Sequence, residues 1–103
     1  MGMTPEKRVK DKVVKQLKML GSSVYYFFPA TGGYGRSGVP DIVGCYNGRF
    51  FAIECKAGKN TTTALQRKEL NAIGAAGGAP WVVNEDDADS VGLAVSSLGN
   101  KHT

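Results

Sequence analysis

The sequence has few of the residues that build transition-metal sites or disulfide frameworks. It contains one histidine and two cysteines in 103 residues. Cys45 and Cys55 lack the spacing of a zinc or redox pair, so we expect two free thiols packed as small hydrophobes. No apolar run approaches the roughly eighteen residues that a membrane-spanning helix needs. The first residues also lack the basic-then-apolar pattern of a secretion signal, which predicts a cytoplasmic protein without a membrane partner.

The length and composition predict one globular domain over residues 1–103. Hydrophobic residues make up 42% of the chain and charged residues 21%, values typical of a folded protein. The net charge of +4 favours a polyanionic partner, although a solvated face of an amphipathic helix is the alternative. Much of the charge falls in the first predicted helix, at Lys7, Arg8, Lys10, Lys12, Lys15 and Lys18.

Apolar periodicity and turn residues predict the order α-β-β-β-α-β-α. The first helix is capped by Thr4 and stopped by Gly21, and a strand follows that Pro29 ends. A loop over residues 31–38, with four glycines, precedes a β-hairpin. After the hairpin come a helix capped by Thr63, with Leu65, Leu70 and Ile73 on one apolar stripe, a strand over Pro80 to Val83 and a weaker helix over Glu85 to Ser97. This order indicates an α/β domain with a mixed sheet and helices on both faces.

The hairpin spans Asp41 to Lys56 and turns on Asn47-Gly48, the dipeptide best suited to a type I′ turn. Counting outward from this turn places Asp41 opposite Glu54, and opposed residues share a face. Strand alternation sends Lys56 to the same face and Cys55 to the other. A bulge would shift this register by one residue. Both faces are mostly apolar, which predicts an inner position in a sheet that is covered on both sides.

Opposed carboxylates destabilise a strand pair unless a cation compensates them. Oxygen ligands without imidazole or thiolate favour Mg²⁺ or Mn²⁺, and the main-chain carbonyl of Cys55 is a further candidate ligand. Such an ion polarises a phosphate and activates water, while Lys56 orients that water or offsets transition-state charge. The alternative is structural, with Asp41 at a strand start and Glu54 paired with Lys56 at a strand end.

Gly38-Val39-Pro40-Asp41-Ile42 followed by Glu54-Cys55-Lys56 resembles the PD-(D/E)xK nuclease motif. With Thr63, Gln66, Leu70 and Gly77-Gly78, the chain from about Pro5 to Val83 resembles the virus-type replication-repair nucleases (VRR-NUC). The segment Gly35-Arg36-Ser37-Gly38 is similar to the loop of archaeal Holliday junction resolvases. The resemblance implies a restriction-endonuclease-like fold and, for a viral protein, a location in the host cytoplasm.

The resemblance also implies roles for individual residues. Asp41 and Glu54 bind metal, Lys56 is catalytic, a first-helix glutamate at Glu6 completes the acidic site, and Gln66 lies near it. Basic and loop side chains are candidates for phosphate contacts, which supply affinity more than sequence choice. These candidates are Lys7, Arg8, Arg36, Ser37 and Lys59.

These expectations describe a Mg²⁺- or Mn²⁺-dependent endonuclease that cuts branched DNA such as four-way junctions. A restriction-like or nicking enzyme on duplex DNA is one alternative, since one fold hosts both activities. A non-catalytic DNA-binding module is another, although the intact Asp41, Glu54 and Lys56 argue against a decayed site. A homodimer would match the two-fold symmetry of a four-way junction. Its interface, or alternatively the core, would use Trp81-Val82-Val83, Val91, Leu93 and Leu98.

Overall fold

The computed structural model of the chain describes residues 4–30 and 35–98. Its elements are α1 Pro5–Met19, β1 Val24–Phe27, β2 Ile42–Tyr46, β3 Arg49–Cys55, α2 Ala64–Ala75, β4 Ala79–Val83 and α3 Val91–Leu98, with short 3₁₀ turns at Gly21–Ser23 and Ala88–Ser90. The order confirms the predicted α/β fold. Within the described residues, no helix is long and apolar enough to cross a membrane.

Helix α1 begins and ends as its sequence predicts. The Thr4 hydroxyl accepts the Lys7 N–H at 3.1 Å, and Pro5 occupies the first turn, where its missing N–H costs no bond. The helix buries Val9, Val13 and Leu17 along one stripe. This stripe packs in the main core cluster against the sheet, and the first turn of α1 shares a cleft with Asp41.

The last helix begins later than the sequence predicts. The chain from Asn84 to Asp87 forms a turn in which the Asn84 N–H donates to Asp87 Oδ1 at 2.7 Å. The Asp86 N–H in turn donates to Asn84 Oδ1 at 2.8 Å. Short polar side chains that bond to their own backbone compete with helix formation, so α3 starts only at Val91.

The sheet has the order β1-β2-β3-β4, so the hairpin strands are its two inner strands, as predicted. Only the β3–β4 pair is parallel. The hairpin register runs unbroken from Tyr46 opposite Arg49 to Ile42 opposite Ile53, which excludes a bulge. Both turn residues have positive φ, 46° at Asn47 and 86° at Gly48, as a type I′ turn requires.

The two faces of the sheet are covered to different extents. On one face Phe51, Ile53 and Cys55 pack into a core with α1 and α3. On the other face α2 packs beside β4 and leaves Tyr25 and Phe27 exposed by 70% and 50%. The expectation that helices cover both faces of the hairpin is therefore met on one face and only partly on the other.

Several apolar residues considered for a dimer interface are core residues instead. Val83 and Val91 are buried in the main cluster, and Trp81 packs on it with its ring stacked 6.2 Å from Phe51. Val82 and Leu93 are exposed by 46% and 74%. The need of a small domain to bury its large apolar side chains explains this distribution.

Gln16 joins α1 to the segment that leads into α3. Its Nε2 donates to the carbonyl of Ala88, and its Oε1 accepts the Gly92 N–H at 2.7 Å. Both partners lie more than 70 residues away in sequence, at separations of 72 and 76. One side chain thus satisfies a donor and an acceptor at a helix start.

We expect Gln16→Ala to lower the free energy of unfolding by about 1–3 kcal/mol, because it removes both bonds and leaves partly buried groups unsatisfied. Lys12→Ala is the matched control on the same helix, since its 3.8 Å contact with Asp89 is solvent-exposed and worth little. Urea unfolding of both variants gives the comparison. Equal stabilities for the two variants would contradict the role given to Gln16.

Candidate active site

The open end of the hairpin brings two carboxylates together. One further step of the register beyond Ile42 and Ile53 places Asp41 opposite Glu54. Asp41 Oδ2 accepts the main-chain N–H of Cys55 at 2.8 Å. This bond fixes the Asp41 carboxylate at the end of β3, beside the two residues that the motif places there.

Cys55 contributes its backbone to this place and its side chain to the core. The N–H and C=O of one strand residue point the same way, so the Cys55 carbonyl is directed toward the Asp41 side of β3. Its thiol is 1% exposed, and burial first, then the charge of Asp41, raises the pKa of the thiol to about 12. A neutral buried thiol leaves the carbonyl as the group that Cys55 offers to a cation.

Glu54 is a buried carboxylate with two close side-chain neighbours, Gln66 and Lys56. It is 3% exposed, and its Oε2 accepts a hydrogen bond from Gln66 Nε2 at 2.9 Å. Lys56 Nζ lies 3.5 Å from the same oxygen, and both side chains are nearly inaccessible to solvent. The other oxygen, Oε1, is buried with no hydrogen-bond partner among the described residues. An ionised oxygen that is buried without a partner is unfavourable unless a cation binds it.

Gln66 is oriented by the start of α2. Its Oε1 accepts the Thr63 N–H at 2.9 Å, and the Thr63 hydroxyl accepts the Gln66 N–H at 3.2 Å. This capping box uses the amide oxygen and leaves the amide nitrogen to point at Glu54. The residue is thus both a helix cap and a contact of the site.

Gly38 lets the loop before Asp41 approach α2. It has φ +82°, and a Cβ built there would lie 2.6 Å from the main-chain carbon of Leu65. Both facts restrict the position to glycine. The close approach sets the distance between the Asp41 loop and the helix that carries Gln66.

The charges around Glu54 perturb its protonation. Burial first, then the charge of Asp41, raises its pKa from 4.5 to about 7, against the opposing effect of Lys56. A shift of this size from burial and a specific charge neighbour is typical of functional sites. It places the protonation of Glu54 near neutral pH.

Comparison with known proteins identifies the family that this chain belongs to. The sequence profile described as "Archaeal holliday junction resolvase (hjc)" matches residues 7–89. The chain belongs to this family. It is therefore a nuclease, and the resolvase family implies a DNA substrate.

Individual relatives agree with the resolvase family. The chain is 30% identical over 97 residues to "Putative nuclease p44" of Acyrthosiphon pisum secondary endosymbiont phage 1, covering 93% of this chain and 100% of the relative. A structure titled "VRR_NUC domain protein" matches with a TM-score of 0.71 at 20% identity, covering 96% of this chain and 93% of its own. Another structure, titled "VRR_NUC domain", matches with a TM-score of 0.66 at 20% identity, covering 98% of this chain and 100% of its own. These two likenesses bear out the restriction-endonuclease-like fold.

Glu6 lies near Asp41, at the start of α1. It lies in the first turn of α1, one residue before the matched region begins. It lines a cleft together with Asp41. Over residues 4–30 and 35–98, however, no three side chains of histidine, cysteine, aspartate and glutamate gather closely enough to form a metal-binding group. The role of Glu6 in completing the acidic site stays a prediction.

The predicted DNA contacts lie on the surface of the protein. Arg36 Nη2 lies 3.4 Å from Glu69 on α2, with an exposed side chain. The remaining candidates are also exposed: Lys7, Arg8, Ser37 and Lys59. Tyr34, a loop tyrosine and so a candidate for base stacking, lies outside the described residues. Sequence reasoning missed Phe28, which lines the same cleft as Asp41 and was assigned to the preceding strand.

We expect Glu54→Gln to change thermal stability in a pH-dependent way. The folded-state pKa of about 7 lies above the ordinary glutamate value of 4.5, so ionisation of Glu54 costs stability as pH rises between these values. Without divalent ions, the melting temperature of the variant should exceed that of the wild type at pH 8. The excess should be roughly 5 °C for each 1 kcal/mol of added stability, and it should shrink toward pH 4.5. Melting curves across this range test it, and a difference independent of pH would contradict the burial argument.

Proposed function

We propose that this nuclease is a divalent-metal-dependent endonuclease selective for branched DNA such as four-way junctions. The observation that carries the proposal is the buried Glu54 carboxylate, which has an oxygen without a hydrogen-bond partner and lies on the strand opposite Asp41. A family of junction resolvases supports branched DNA as the substrate class. Cleavage or nicking of ordinary duplex is the second candidate.

The residues present fit a hard cation. Asp41 and Glu54 supply carboxylate oxygens, and the Cys55 carbonyl is directed to the same side. Residues 4–30 and 35–98 contain no histidine, and the Cys55 thiol is buried and neutral. This donor set suits Mg²⁺ or Mn²⁺, which accept oxygen ligands and retain water. When bound, such an ion supplies Lewis acidity toward a phosphate and lowers the pKa of a bound water.

The neighbouring side chains prepare the site for phosphate chemistry. Lys56 brings a positive charge next to Glu54, where it can hold a water or stabilise charge that develops on the phosphoryl oxygens. Gln66 holds Glu54 Oε2 through its amide, which keeps the carboxylate in one orientation. Both groups are fixed before substrate arrives, so little reorganisation is needed at the moment of reaction.

We expect Asp41→Ala and Glu54→Ala to abolish cleavage of a four-way junction in Mg²⁺ or Mn²⁺ while binding stays near the wild-type level or tightens. Each change removes a proposed metal ligand and a negative charge near phosphate. Lys56→Ala should lower turnover more than binding, because its contact strengthens in the transition state. Ca²⁺ should permit binding with little cutting.

Labelled four-way, flap and duplex substrates give the measurement. Asp89→Ala and Lys68→Ala are the matched charge controls, since both side chains lie on the exposed surface. Full activity in the Asp41 or Glu54 variant, or equal loss in the controls, would refute the site. Equal cutting of duplex and junction by the wild type would favour the second candidate function.

We also propose that the nuclease acts as a homodimer that introduces paired nicks. The sheet face opposite the main core exposes Tyr25, Phe27 and Phe50, and neighbouring exposed apolar side chains mark an interaction surface. Strand β1 is an edge of the sheet beside this face. A two-fold pair of sites would match the symmetry of a four-way junction.

Light scattering at micromolar concentration should give a dimeric mass, and Tyr25→Glu combined with Phe27→Glu should reduce it to a monomer. Charged side chains at an apolar contact remain desolvated and unpaired, which disfavours association. The monomeric variant should still nick individual strands of the junction, but the nicks on the two strands should no longer occur in pairs. A monomeric wild type that nicks junctions singly would overturn the proposal.

A further inference from the structure

A cleft of about 570 Å³ opens between the first half of α1 and the start of β2. Its lining contains three carboxylates, Glu6, Asp11 and Asp41, together with Lys7, Lys10 and Phe28. The size lies within the range of about 300–1,000 Å³ that small-ligand pockets occupy. Because Asp41 belongs both to this cleft and to the hairpin end, a group bound in the cleft would lie next to the reacting phosphate.

Phe28 presents an aromatic surface in this cleft. It follows the last residue of β1 and is 48% exposed, although it is a large apolar side chain. The Tyr26 ring meets it edge-on with centroids 6.0 Å apart, and Lys10 Nζ lies 4.5 Å from its ring centroid. These contacts hold the ring in place while much of its area remains open.

The two lysines of the cleft differ in their partners. Lys7 Nζ lies 3.5 Å from Asp11 Oδ1, an exposed pair on the same helix. Lys10 is half-buried and takes part in no ion pair within 4.0 Å among residues 4–30 and 35–98. Its close contact in the cleft is the Phe28 ring. A cation beside an exposed ring matches the two parts of a nucleotide, the phosphate and the base.

We infer that this cleft binds one unstacked nucleotide of the DNA substrate, next to the cleaved phosphate, with its base on Phe28 and its phosphate on Lys10. The inference rests on the proposed function and deepens it. Nucleotides inside a continuous duplex must break stacking and pairing to enter such a site, whereas those at a branch point do so at lower cost. The cleft would therefore supply the preference for branched over duplex DNA.

The test compares binding of branched and duplex DNA in Ca²⁺, measured by fluorescence anisotropy on the full chain. Phe28→Leu keeps apolar bulk but loses the stacking surface, and should weaken branched-DNA binding by roughly 5- to 150-fold, with duplex binding nearly unchanged. Phe28→Trp should retain branch preference. Lys10→Gln should weaken branched-DNA binding and reduce its salt slope by about 1, while Lys18→Gln, in the last turn of α1, should leave the branch preference unchanged.

A fluorescent base analogue at the branch point supplies a readout that a merely structural role would not move. Wild type and Phe28→Trp should change its emission on binding, because the base leaves the DNA stack for an aromatic ring, and Phe28→Leu should alter that signal. Equal branch preference and equal emission in wild type and Phe28→Leu would overturn the inference. If thermal melting shows that Phe28→Leu does not fold, the inference is tested by Phe28→Trp, Lys10→Gln and the emission change of the wild type. A wild type without preference for branched DNA would instead refute the proposed function.

Discussion

Glu54 places a titratable carboxyl group in the interior of the domain, and the neighbouring elements are arranged around that constraint. Burial and the charge of Asp41 both oppose its ionisation, and Lys56 offsets only part of the cost. Gln66 adds one hydrogen bond from α2. A protein selected for stability alone would place an apolar side chain there, because buried ion pairs are weak stabilisers. The unfavourable burial of Glu54 is consistent with a carboxylate that binds a cation next to a phosphate.

The hairpin turn determines whether this constellation exists at all. A slip of one residue would send Glu54 and Lys56 into the core and Cys55 to the site, since strand side chains alternate. Asn47 and Gly48 prevent the slip because both adopt the positive φ that a two-residue turn requires. This part of the site was predictable from sequence because turn chemistry and strand alternation are local. The caps at Thr4 and Thr63 were predictable for the same reason.

Other parts of the site depend on contacts between distant elements, and the sequence pattern could not supply them. Leu65 was expected on the buried stripe of α2, yet it is 54% exposed, and the backbone at this position is the surface on which Gly38 packs. The hydrogen bond from Gln66 to Glu54 likewise joins two elements, α2 and β3. Phe28 ended a predicted strand, whereas in the structure it has left the sheet and lines the Asp41 cleft.

The unequal coverage of the two sheet faces separates stability from function. Phe51, Ile53 and Cys55 anchor the domain on one face, and alternation places Glu54 and Lys56 on the other. A domain of this length has one core to build, so the second face needs little apolar cover and can hold charge and exposed aromatic rings. Changes on the second face should therefore alter activity or association with less effect on folding. Stability and activity measured on the same variants separate the two roles, because a loss of cleavage without a loss of folding reports on the site alone.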